Sequence, residues 1–237
     1  MADAADNKRL QTYARVAGFT YLLGVAAFMA GYEITGSMAA PGDFAHTARN
    51  VAAAEPLYRI ALASLLGGAV GTILVAGALY GLLKPVSADL ALFALLWRVA
   101  EATFGGVVVV FRVAALENYA ASTGELSEGG REALHAVLSG GYGMAFDASI
   151  VYFSAGATIF FYLLFKSRFI PRLLSGYGVL ASILAGILGF AGLLVPEQAE
   201  ALGMAGWAPI ASAEILTGLW LLFVGANLKY WNKRPAD

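Results

Sequence analysis

Cysteine is absent from the 237 residues. That absence excludes disulfides, thiolate metal sites and thiol catalysis together. Histidine is scarce: only His46 and His135 occur, and neither falls in an apolar block. A haem held by two histidines between membrane spans would lack its ligands. Zinc-dependent membrane hydrolases need histidine clusters, and two histidines from separate loops are a poor start. Both are read as ordinary surface residues, and no metal or cofactor is expected. Every lysine lies at the boundary of an apolar block, so none is placed to hold a retinal Schiff base. A serine nucleophile has no paired base in the apolar core. Charge is sparse too: 13% of residues are charged, against about 25% in a typical soluble domain. The net charge is −1, so no basic field invites nucleic acid.

What is abundant is apolar length. Hydrophobic residues make up 59% of the chain, and mean hydropathy is +0.72. Six apolar stretches stand out: Tyr13–Tyr32, Leu57–Leu83, Asp89–Leu116, Gly143–Phe165, Ile170–Leu194 and Ala208–Leu228. Each is long enough to cross about 30 Å of hydrocarbon at ~1.5 Å per residue. In lipid the backbone must satisfy its own hydrogen bonds, so such runs are helices. The expectation is an all-α bundle of six transmembrane helices in one integral membrane domain over residues 1–237. The first stretch follows Lys8 and Arg9 as a signal sequence would, and Ser37-Met38-Ala39 weakly resembles a cleavage site. Its apolar core is too long for a signal, so it reads as an uncleaved first helix.

The loops carry opposite charge on alternate sides. Lys8, Arg9, Lys84, Lys166, Arg168, Arg172, Lys229, Lys233 and Arg234 gather on one side. The other side holds Arg49 and Arg131 among the acids Glu33, Asp43, Glu55, Glu117, Glu125, Glu128, Glu132, Glu197 and Glu200. The positive-inside rule then predicts both termini in the cytoplasm. Pro41–Glu55 reads as a short surface helix with Asp43 as N-cap and Pro56 opening the second span. Glu125–Ser139 reads as an amphipathic segment, either separate or fused to the fourth span. No internal repeat supports an inverted-repeat transporter. Glycines recur at Gly67/Gly71, Gly77/Gly81 and Gly186/Gly189/Gly192. Small residues let helices approach closely, within this chain or across a homodimer.

Ionisable residues inside spans cost roughly 2.5–3.5 kcal/mol each, so each needs a reason. The third span carries Arg98, Glu101 and Arg112. Arg98 and Glu101 can pair at i,i+3, and Arg112 continues the same face about three turns on, with Gly105 between. Arg59 opens the second span, Asp147 lies near the outer end of the fourth, and Glu214 sits in the sixth. Three arginines can thus face three carboxylates, extended by Thr103, Tyr142, Tyr152, Ser154 and Thr217. One reading is a structural or regulatory subunit of a membrane complex, with a buried salt-bridge network that only fixes helix register. The other is an outward polar cavity that binds or passes a small polar solute or ion. An acid–base enzyme using Glu101, Asp147 or Glu214 on a lipid or small substrate stays open, though no spacing demands one.

Five segments carry a family resemblance. They read RVAGFTYLLG from Arg15, PGDFAHTARNVAAAEPLYRIAL from Pro41, LYGLLKPVSADLALFALLWRVAEA from Leu79, SRFIPRLLSGYGVLA from Ser167 and AEILTGLWLLFVG from Ala213. In that order the chain resembles the bacterial membrane-protein family termed domain of unknown function 4386. The resemblance implies a bacterial inner-membrane location and a compact helical bundle, and no activity. Its pattern includes the Arg98/Glu101 pair, the Arg168–Arg172 turn and Glu214. Where relatives carry a histidine at the fourth span's entrance, this chain has Gly140-Gly141-Tyr142.

Overall fold

Six helices long and apolar enough to cross a membrane dominate the fold. The computed structural model describes residues 4–120, 126–229 and 231–233. Glu125 and Arg234, used above in the loop charges, lie outside them. Helices α1 (Ala4–Ser37), α3 (Glu55–Leu83), α4 (Ala88–Ala120), α5 (Glu128–Ser167), α6 (Arg172–Leu194) and α7 (Pro196–Leu219) form the bundle. The short helix α2 (Phe44–Ala53) lies between α1 and α3. Among the described residues there are no strands.

The six apolar stretches all correspond to these helices, and α1, α3, α4 and α5 run further than hydropathy alone predicts. α1 has 34 residues and α5 has 40, roughly 50 and 60 Å at 1.5 Å per residue. Both outrun the hydrocarbon, because helix continues through polar flanks that contain no proline. α5 settles the choice left open for the segment before the fourth span: it is fused to it. Ser127 caps it by accepting from Gly130 N, and Gly140, Gly141 and Gly143 do not interrupt it. Gly141 seats the ring of Phe111 where a β-carbon would collide.

The ends are set by local chemistry. Asp43 accepts from His46 N at 2.8 Å and caps α2, as its sequence predicts. Pro56 opens α3 within its first turn. Arg168 adopts a left-handed conformation (φ 59°) at the end of α5, and Pro171 stands at the N-cap position of α6 without a side-chain hydrogen bond. α7 carries Pro209 in its interior and passes into a π-helical turn over Trp220–Val224. It stops at Gly225, whose φ is +81°, so the sixth span ends short of the predicted Leu228.

Each spanning helix packs on its sequence neighbours, and α7 returns to α1 to close a ring. Closure depends on glycine. A β-carbon at Gly18 would fall against the backbone of Gly218 and Leu222. The ends are also tied by hydrogen bonds. Gln11 donates to Ala226 O at 2.6 Å and accepts from Ala226 N at 3.0 Å. Asn227 N donates to Phe169 O at 2.8 Å. These bonds bring the start of α1, the segment after α7 and the α5–α6 turn to one end of the bundle.

At the opposite end, Phe44 of α2 is buried beside Tyr119 and His135. Tyr119 Oη lies 3.1 Å from His135 Nδ1. Arg131 donates to Asn118 O and Tyr119 O, and Asn118 Nδ2 donates to Arg131 O at 2.9 Å. His135 is therefore half-buried and partnered, not the ordinary surface residue its position suggests. His46 is exposed, as expected. Several glycines of the predicted stripes pack within the chain. Gly71 faces Gly24, Gly81 seats Tyr13, and Gly186 seats Ser154, whereas Gly67 and Gly77 face open space.

Candidate functional site

The centre of the ring is hollow. A cavity of about 260 Å³ is lined by α1, α3, α4, α5 and α7. Its closed end is built on Arg98. The side chain is only 5% exposed, and Nε lies 3.0 Å from Glu101 Oε2. Glu214 Oε1 approaches Arg98 Nη2 at 3.8 Å from α7. The guanidinium stacks on the Phe153 ring at 4.5 Å. Gly156 makes room for its stem: a β-carbon there would lie 2.9 Å from Arg98 Cγ and 3.0 Å from Ala94 O. Thr72 Oγ1 donates to Glu101 Oε1 at 3.4 Å.

These charges are paired in distance but poorly satisfied in hydrogen bonds. Arg98 Nη1, Glu101 Oε2 and Glu214 Oε1 are all buried without a hydrogen-bond partner. The 3.0 Å contact between Arg98 and Glu101 is thus an ion pair without good alignment. Buried polar atoms in native proteins are nearly always bonded, so three orphans around one cavity call for an explanation. One guanidinium also faces two carboxylates, which leaves acid in excess.

The cavity runs along α1 from Thr20 to Glu33, roughly 20 Å of helix. Thr20 and Tyr21 are buried, whereas Phe28, Tyr32 and Glu33 are exposed, so it opens toward the Glu33 end. That is the end capped by α2. The walls between are apolar and aromatic. Phe28 stacks on Phe146, and Phe146 meets Trp207 edge-on at 5.9 Å. A mostly apolar hollow with a few convergent polar groups is the usual form of a small-molecule site. Among the described residues, no group of three His, Cys, Asp or Glu side chains could hold a metal ion.

The six charged residues singled out from the sequence do not form one set. Arg98, Glu101 and Glu214 converge. Arg59 does not: it is 53% exposed and pairs with Glu55 at 2.8 Å and Glu117 at 3.6 Å. Arg112 lies outside the cavity lining and stacks on Tyr142 at 4.4 Å. Asp147 faces α6, with its carboxylate packed where Gly192 lacks a β-carbon. Of the hydroxyls, Thr217 is buried without a partner. Tyr152 stacks on Phe104, and Thr103 bonds its own helix at Val99 O. Four contributors went unnamed as site residues in the sequence reading: Thr72, Phe153, Gly156 and Glu33. Glu33 had a signal, since it is an acid next to the first apolar stretch, but hydropathy assigned it to the loop.

The model of a domain of unknown function, DUF4386, matches residues 16–225. The chain belongs to that family. The match spans all six apolar helices and includes Arg98, Glu101 and Glu214. No curated protein and no solved structure matches the chain. DUF4386 membership therefore brings no activity with it, and the cavity itself must carry the functional reading.

Proposed function

We propose that this protein binds a small polar solute in the central cavity and takes it up from the Glu33 end. The carrying observation is the trio of buried, unbonded atoms on Arg98, Glu101 and Glu214 at the closed end of a hollow. A network serving helix register alone would be expected to close on itself, because half-satisfied buried charge is worse than an apolar core. Here the orphaned atoms stand beside space large enough for a ligand. On this proposal the protein lies in a bacterial inner membrane with both termini cytoplasmic. Its support is the gathering of Lys8, Arg9, Lys84 and Arg172 at the end where α1 begins and the segment after α7 lies. The cavity then opens outward.

The native absence of cysteine makes the test direct. Single-cysteine variants need no background substitutions. In whole cells, Glu33→Cys and Thr72→Cys should react with an impermeant methanethiosulfonate reagent, while Ala76→Cys, fully buried, should not. Native mass spectrometry of the purified protein should also show a copurified small solute. If Thr72→Cys stays inert from both sides of the membrane while Glu33→Cys reacts, the cavity is not a solute route and the reading is wrong.

A further inference from the structure

The inventory of charge and wall chemistry identifies the kind of solute. Resting on the solute-binding reading, we propose that the cavity selects small monovalent organic cations, with an ammonium head at Glu101 and Glu214 and an apolar body along the aromatic wall. Arg98 is already engaged from three sides, by Glu101 at 3.0 Å, Glu214 at 3.8 Å and the Phe153 ring at 4.5 Å. One guanidinium offsets one carboxylate, so the second has no cationic partner of its own. An anion entering for Arg98 would meet two carboxylates beside the one positive charge. A cation completes the balance and also offers N–H donors to the unbonded Glu101 Oε2 and Glu214 Oε1.

The rest of the lining points the same way. Glu33 adds a third carboxylate at the open end, and Arg98 is the only basic residue on the lining among the described residues. A cleft lined by one sign of charge with low-dielectric walls concentrates ions of the opposite sign. Tyr21, Phe28, Phe146, Phe153 and Trp207 border the path, and aromatic faces attract ammonium groups. Size sets the ligand class. A dry cavity of about 150 Å³ holds benzene, so the 260 Å³ here suits an aryl- or alkylamine of roughly ten non-hydrogen atoms. A bare metal ion would leave the aromatic walls without a role.

The test compares three probes of one shape: phenethylammonium, phenethyl alcohol and phenylacetate. Binding is measured by calorimetry on the full-length protein in nanodiscs of zwitterionic lipid, with empty nanodiscs subtracting partition into lipid. Phenethylammonium should bind more tightly than either other probe by about tenfold or more. Glu214→Gln should bring that ratio to within about threefold of unity. Glu33→Gln, at an exposed position and so safe for folding, should weaken phenethylammonium by a few-fold and leave the alcohol unchanged. Equal or better binding of the alcohol or phenylacetate overturns cation selection but leaves solute binding standing. An ammonium preference that persists in both Glu214→Gln and Glu33→Gln places it outside the cavity and overturns the proposal. No binding of any probe overturns it as well. In that case labelling of Thr72→Cys tells whether the solute route itself survives.

Discussion

The two carboxylates on Arg98 should differ in what they contribute to stability, and the difference is measurable. Glu101 sits on the same helix, three residues on, with an oxygen 3.0 Å from Arg98 Nε. Glu214 comes from α7 at 3.8 Å. Their side chains are similarly buried, at 16% and 14% exposure. Breaking a buried ion pair from one side typically costs about 3–5 kcal/mol. Glu101→Gln keeps the shape and removes the close partner, leaving Arg98 with a looser one. Its cost should fall at or just below that range, about 2–4 kcal/mol. Glu214→Gln removes the looser partner and also relieves repulsion between two carboxylates that share one guanidinium. The remaining pair is balanced, so the cost should be within about 1 kcal/mol of zero. For a chain of this size 1 kcal/mol moves the midpoint by roughly 2–4 °C. Thermal unfolding in detergent should then show Glu101→Gln lower by about 4–16 °C and Glu214→Gln nearly unchanged. Equal losses, or a larger loss for Glu214→Gln, would show that both acids are structural, and the excess-charge reasoning would fail.

Three further outcomes follow from the geometry. Gly156→Ala puts a methyl 2.9 Å from Arg98 Cγ, and such overpacking should cost about 1–3 kcal/mol, read as a lowered midpoint that Arg98→Ala partly relieves. Gln11→Ala removes both hydrogen bonds to Ala226 and strands part-buried backbone, for a loss of about 1–3 kcal/mol; hydrogen exchange at Ala226 should rise with it. Single cysteines at Ser87 and Ser139, in polar segments next to α4 and within the extended end of α5, should label from opposite membrane faces, Ser87→Cys only in inverted vesicles. Labelling of both from one face would refute the assigned orientation.

Much of the fold was legible because lipid leaves the chain few choices. Apolar runs of the right length must be helices, and opposite loop charge separates the two ends. Helix ends were less legible, since hydropathy marks where lipid ends and not where hydrogen bonding does. Glu33 shows the consequence: it was counted with the loops, yet α1 continues to Ser37 and carries it onto the cavity lining. Hydropathy starts the fourth span at Gly143, yet α5 runs back through Gly141, which seats the Phe111 ring. The site was half legible. Charges in apolar runs are outliers, so Arg98, Glu101 and Glu214 stood out. Helical period predicts Arg112 on the face of Glu101 but says little about depth. At about 1.5 Å per residue it lies ~16 Å further along α4, beyond the cavity lining. Asp147 failed for a different reason: which neighbour a helix face meets is decided by tertiary packing. Its face meets α6, the one spanning helix that does not line the cavity.

The least tightly held carboxylate also rides on the least regular helix. Pro209 lies five residues before Glu214, and the π-turn begins six residues after it at Trp220. Proline removes a backbone donor, and a π-turn shifts the hydrogen-bond register, so the ladder is broken on both sides of Glu214. Bending concentrates at such interruptions because fewer regular bonds oppose it. α4, which carries Arg98 and Glu101, has no proline and runs unbroken from Ala88 to Ala120. Arg98 and Glu101 therefore move as one body, and Glu214 is the member whose distance can change at least cost. A 3.8 Å contact from a deformable helix to a rigid pair leaves Glu214 able to trade Arg98 for a ligand. The same arrangement explains why a carboxylate that adds little to stability would still be built into the centre of the ring.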